Sequence, residues 1–133
     1  MTLTLTLAVT DLSATACFYR EVLQLPLESL TPVPGHPPLL LLLRGDACLL
    51  FREKATLEAL HPVQFQHLDR HPLGLGMTLD FAVADLGPAL RAIARRNVHT
   101  LYELEDAEHQ RREIWLHDPD GYLIILSEDS PRS

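Results

Sequence analysis

The chain has 133 residues, with 11 Lys and Arg against 18 Asp and Glu, giving a formal charge of −7. Apolar residues make up 47% and aromatics only 6%, with 28 leucines, which excludes a disordered chain and implies a mostly aliphatic core. The acidic balance argues against a nucleic-acid backbone or an anionic membrane as partner, since both select clustered Lys and Arg. No segment approaches the roughly 18 apolar residues of a membrane span.

Residues 2–9 alternate apolar and polar, which reads as a strand and not as the continuous apolar stretch of a signal peptide. Asp11 or Ser13 then caps a helix through about Leu23, with Phe18, Val22 and Leu23 on its inner face. A short strand at Leu25–Leu30 precedes the proline-rich stretch 31–38, which reads as a loop. Leu39–Leu43 and Ala47–Phe51 flank Arg44-Gly45-Asp46 as a hairpin. Residues 55–74, with a short helix at Ala55–Leu60 and prolines at 62 and 72, form a link. A strand over 77–84 follows, then a helix from Leu86 through Arg96 with Pro88 in its first turn. Strands near 98–104, 111–117 and 122–127 complete the chain, the last two joined by Asp118-Pro119-Asp120-Gly121. Cys17 and Cys48 lie inside these elements without metal-like or redox spacing and read as reduced, packed thiols in a cytoplasmic protein.

The order repeats because the sequence repeats. At an offset of 74, residues 3–54 show eleven identities, of which six are Leu on Leu and carry little weight in a leucine-rich chain. Thr4/Thr78, Ala8/Ala82, Val9/Val83, Asp11/Asp85 and Asp46/Asp120 carry the argument. The same ungapped offset sets Phe51 on Ile125. The expected fold is α+β: two tandem β-α-β-β-β modules, about 1–54 and 75–129, whose curved mixed sheets enclose a cleft in one domain spanning 1–133.

Alternation separates two faces on each strand. Leu5, Leu7 and Val9, like Leu79, Phe81 and Val83, should pack on their module's helix. Thr4, Thr6 and Ala8, like Thr78, Asp80 and Ala82, should line the cleft. In 111–117, Ile114 and Leu116 belong to the core, while Arg111, Glu113, Trp115 and His117 face the other way. Leu39, Leu41 and Leu43 stand at the matching places of the first module.

Leu7-Ala-Val-Thr-Asp-Leu12 with Phe18-Tyr-Arg-Glu-Val-Leu23, and Asp118-Pro-Asp-Gly-Tyr-Leu-Ile-Ile125, in this order and within paired modules, resemble the vicinal oxygen chelate superfamily. That group comprises glyoxalases, bleomycin-resistance proteins and extradiol dioxygenases. In its metal-using members each module supplies one ligand from its first strand and one from its last. The resemblance puts those places at Thr4, Phe51, Thr78 and Ile125. Two neutral hydroxyls and two hydrocarbon side chains cannot hold a divalent ion. Arg112-Glu-Ile-Trp-Leu-His-Asp-Pro-Asp-Gly121 is similar to the bleomycin-resistance branch, whose members lack the metal and bind drugs.

The function expected is therefore binding of a small molecule, with a cationic or polar drug as candidate, and with neither metal nor cofactor. Trp115, Phe51, Leu41 and Ile125 would give apolar contact, and Thr4, Thr6, Thr78, Asp80 and Glu113 polar contact. The rival is a lyase or isomerase of glyoxalase type using Asp80 or Glu113 as general base. A third reading is a scaffold whose cleft its own side chains fill. Asp80 and Glu113 also have a purely structural reading, as ion pairs with Arg111 or Arg112. Among seven histidines, His67 and His71 are four apart, but no Glu stands between them and Pro72 follows, so a solvated loop is the better reading than a zinc site. Exposed strand edges, and the family's habit, point to a homodimer.

Overall fold

The structure, a computed structural model, describes residues 2–31, 34, 35, 37–70, 72–108 and 111–129. It divides into two compact units, Met1–Leu73 and Gly74–Ser133. Each is a four-stranded mixed sheet with helices on one face, so the tandem β-α-β-β-β architecture is what forms.

In the first unit, β1 (Leu3–Val9), β2 (Leu27–Leu30), β3 (Leu39–Arg44) and β4 (Ala47–Glu53) lie in the order β1-β4-β3-β2. Only the β1–β4 pair is parallel, as the crossover through helix α1 (Leu12–Cys17) requires. Asp11 caps α1, its carboxylate accepting from the N–H groups of Ser13 at 2.8 Å and Ala14 at 3.4 Å. The helix runs on as a single π-helical turn, Phe18–Val22, closed by the Leu23 N–H to the Phe18 carbonyl. Phe18, Val22 and Leu23 turn inward, and so does Tyr19, whose ring meets those of Phe18 at 5.5 Å and Phe51 at 4.8 Å. Cys17 corrects its expectation of burial: it lies on the outer side of α1, exposed, while Leu12 and Thr15 take the inner one. Helix α2 (Lys54–Leu60) seats Leu57 in this same unit, so the linking segment packs with the first module. The cap of α2 leads through His61 to a short 3-10 turn at Leu68–Arg70; His71 lies outside the described residues.

In the second unit, β5 (Thr78–Val83), β6 (Tyr102–Asp106), β7 (Arg111–His117) and β8 (Leu123–Asp129) lie in the order β5-β8-β7-β6. Helix α3 (Gly87–Arg96) carries Pro88 in its first turn and seats Ala89, Ala92 and Ile93 in the core. It ends at Asn97 in the left-handed conformation, the Val98 N–H returning to the Ile93 carbonyl at 3.0 Å. That reversal explains why the strand expected from residue 98 begins later. Three residues are needed to reach the sheet edge, where the Leu101 N–H first meets the Trp115 carbonyl at 2.8 Å.

Candidate functional site

One face of each sheet packs the apolar core; the other, the open face, carries the exposed Thr4, Thr6, Thr78, Asp80 and Ala82 among buried positions such as Ala8, Glu113 and Ile125. Strand register assigns the open face. In the second unit Asp80 stands opposite Ile125, Ile125 opposite Trp115, and Trp115 opposite Tyr102, so four strands contribute one row. The adjoining row is Ala82, Ser127, Glu113 and Leu104, and on the other side lie Thr78, Leu123 and His117. The helix side takes Leu79, Phe81, Ile114, Leu116, Ile124 and Leu126, all buried. The face division read from alternation thus places Thr78, Asp80, Glu113, Trp115 and Ile125 together.

The two carboxylates of this face differ. Glu113 is only 9% exposed, yet both its oxygens are engaged. Oε2 accepts from Arg111 Nη2 at 2.9 Å and Oε1 from the Trp115 indole N–H at 3.0 Å. Arg111, Glu113 and Trp115 alternate along β7, so all three project from one face, and cross-strand Tyr102 sets its ring edge-on to the indole at 5.6 Å. Asp80, by contrast, is exposed and makes no hydrogen bond or ion pair among the described residues. Exposed, it does not incur the cost of burying a carboxylate at the centre of a strand. Its salt bridge to Arg111 is not formed either, since Arg111 pairs with Glu113. Arg112, on the helix side, lies 3.8 Å from Glu128.

In the first unit Thr6, Leu50, Leu41 and Glu28 form the corresponding open row, flanked by Thr4, Cys48 and Leu43. Leu41 and Thr6 stand where alternation put them. Phe51 does not. It is 0% exposed on the helix side, against Tyr19, and Leu50 occupies the open-face position. The cause is one residue of loop. The Arg44–Ala47 pair closes the β3–β4 hairpin over Gly45 and Asp46, while the Asp118 N–H to Tyr122 carbonyl bond closes the β7–β8 hairpin over the three residues 119–121. The offset between modules is thus 74 up to the third strand and 75 in the fourth. This sets Leu50 on Ile125 and Glu53 on Glu128. A one-residue slip reverses every side chain on a strand.

The pattern of the glyoxalase/bleomycin resistance protein/dioxygenase superfamily matches residues 3–126. The chain belongs to that superfamily. Its fold is shared with solved structures that are far apart in sequence. A glyoxalase-related enzyme from Fulvimarina pelagi is 20% identical with a TM-score of 0.66, covering 97% of this chain and 88% of the other. An antibiotic binding protein from Streptomyces is 19% identical, TM-score 0.61, covering 98% and 96%. An integron cassette protein from the mobile metagenome of V. cholerae is 21% identical, TM-score 0.62, covering 98% and 95%. No curated protein matches the chain by sequence.

With the register corrected, the superfamily's metal-ligand places fall on Thr4 and Leu50 in one unit and on Thr78 and Ile125 in the other. Two neutral hydroxyls and two hydrocarbons do not fit a divalent ion, whose hard or borderline character asks for carboxylate or imidazole donors. Among the described residues no three His, Cys, Asp or Glu side chains gather as a metal-binding group.

Proposed function

We propose that the open face of the second sheet binds a small cationic molecule and that it does so without a metal. The observation that carries this reading is the unequal state of the two carboxylates. Glu113 pairs with Arg111 and accepts from the indole N–H, whereas Asp80 has no partner among the described residues and stands exposed in the same row as Ile125 and Trp115. An unpaired carboxylate beside apolar and aromatic surface attracts a cation, which loses little solvation at an exposed site. Thr78 adds a hydroxyl two residues along β5 on the same face. On the first unit's open face, Thr4 and Thr6 offer hydroxyls, and Leu41 and Leu50 offer aliphatic surface.

Isothermal titration with a panel of cationic glycopeptide-type drugs tests the reading. One molecule should bind per chain, the affinity should be unchanged by a chelator, and Asp80→Asn should weaken it about tenfold, the loss of one screened charge contact. Binding of simple anions with no binding of any cation would overturn it. A metal near one equivalent per chain in untagged protein would overturn its metal-free part. The lyase or isomerase reading now rests on Asp80, because both oxygens of Glu113 are occupied.

A further inference from the structure

Trp115 is the only tryptophan in the chain, and its indole is held on two sides. Its N–H donates to Glu113 Oε1 at 3.0 Å, and Tyr102 meets it edge-on at 5.6 Å with the ring planes 73° apart. An indole has one hydrogen-bond donor and no acceptor. With that donor spent, ring surface is all that Trp115 can offer a ligand. The group that spends it is anchored in turn. Glu113 is 9% exposed while its partner Arg111 is 62% exposed at the side chain, so the carboxylate lies beneath a guanidinium that neutralises it from the solvent side. Burying a carboxylate is costly unless every oxygen is satisfied, and here both are. Arg111, Glu113 and Trp115 thus form a chain of donor, double acceptor and donor along one face of a single strand.

We infer that Glu113 is a positioning residue. It holds the Trp115 indole by its N–H, so that the ligand, on the reading of the site given above, is a flat cationic ring system stacked on Trp115 with its charge at Asp80. Stacking and cation–π attraction need ring surface at a fixed place, and a freely rotating indole would lose part of that gain as ordering cost.

The test has one arm without ligand and one with. Time-resolved fluorescence anisotropy of Trp115 should show a restricted indole in the wild type. It should stay restricted in Glu113→Gln, whose carbonyl oxygen still accepts the N–H, and become fast in Glu113→Leu with the far-ultraviolet circular dichroism unchanged. In calorimetry, the planar monocation 9-aminoacridine should bind more tightly than neutral acridine. Glu113→Leu should weaken both about tenfold and leave their ratio intact. Glu113→Gln should stay within about threefold of wild type, and Asp80→Asn should bring the ratio toward one. An indole as restricted in Glu113→Leu as in the wild type, or a Glu113→Gln loss equal to that of Glu113→Leu, would overturn the positioning role. If the glycopeptide panel binds and neither acridine does, the flat-ring ligand class is wrong and the binding reading stands. If nothing in either set binds, the binding reading falls with the ligand class, while the anisotropy arm still decides what holds Trp115.

Discussion

Thr15 sits in α1 with 0% of its surface exposed, and its hydroxyl has no partner among the described residues. An orphaned buried hydroxyl carries the desolvation penalty of a hydrogen bond left unmade, on the order of 1–3 kcal/mol. Valine has the same branched shape without the oxygen. We expect Thr15→Val to stabilise the protein by about 1 kcal/mol in urea unfolding, since the two residues have nearly equal helix propensity. Thr15→Ser, which keeps the hydroxyl and removes a methyl group, should destabilise by about 1 kcal/mol. A valine variant less stable than the serine variant would show that the hydroxyl is satisfied in solution. At this same scale the sequence was informative about Asp80, Trp115 and Glu113, because alternation alone assigns a face. It was silent on which carboxylate is neutralised. That depends on Arg111 reaching Glu113 two residues along the same strand, a rotamer choice that no spacing rule makes.

The turn after β7 is closed by both side-chain and main-chain hydrogen bonds. The Asp118 carboxylate accepts from the N–H groups of Asp120 and Tyr122, each at 2.9 Å. The Gly121 N–H donates to the Asp118 carbonyl at 3.0 Å, with Gly121 at a φ of +94°. Asp118 and Tyr122 are both buried, so alanine at 118 would strand two amides, one of them in the interior. We expect Asp118→Ala to cost about 2–3 kcal/mol by chemical denaturation, given hydrogen bonds to a charged acceptor. Asp46, exposed in the shorter β3–β4 turn, should change stability by less than about 0.5 kcal/mol when made alanine. Equal costs at the two sites would mean that the two hairpins are built alike. Beside this turn, a Cβ on Gly74 would stand 2.8 Å from the Tyr122 ring and 3.0 Å from the Tyr122 Cα, at a φ of +81°. Gly74→Ala should therefore lower the thermal midpoint by several degrees, since both backbone strain and a contact with main chain oppose it. An unchanged midpoint would refute that packing.

Across the molecule, two four-stranded sheets leave strand edges at β1 and β2 in one unit and at β5 and β6 in the other. Leu3 and Leu5 on the β1 edge are exposed, as are Leu30 on β2 and Tyr102 on β6. Long edges with apolar side chains invite pairing with another chain unless something covers them. We expect a homodimer by sedimentation velocity at tens of micromolar, and a monomer throughout that range would overturn this. Among the described residues no helix is long and apolar enough to cross a membrane. The basic pair Arg111 and Arg112 is spent on Glu113 and Glu128, which adds a structural reason to the acidic balance for expecting no affinity for a nucleic-acid backbone.

The sequence by itself determined the modules, their element order and the two faces of most strands. Each of these follows from a local period, a cap or a turn residue. The alternation of β1 and β5, the Asp11 cap and the Asp118-Pro119-Asp120-Gly121 turn need no knowledge of distant parts of the chain. What only the tertiary structure decided is the register of the fourth strand. A gapless repeat carried Phe51 onto Ile125, and the unequal hairpins moved it by one residue into the core against Tyr19. Tyr19 joins the core beside Phe18 and Val22, its ring buried although its hydroxyl makes it polar in composition. Side-chain partnership was the other matter left to the fold. Both carboxylates stand out in the sequence, but burial and reach set Glu113 between Arg111 and the Trp115 indole and left Asp80 exposed, with no partner among the described residues.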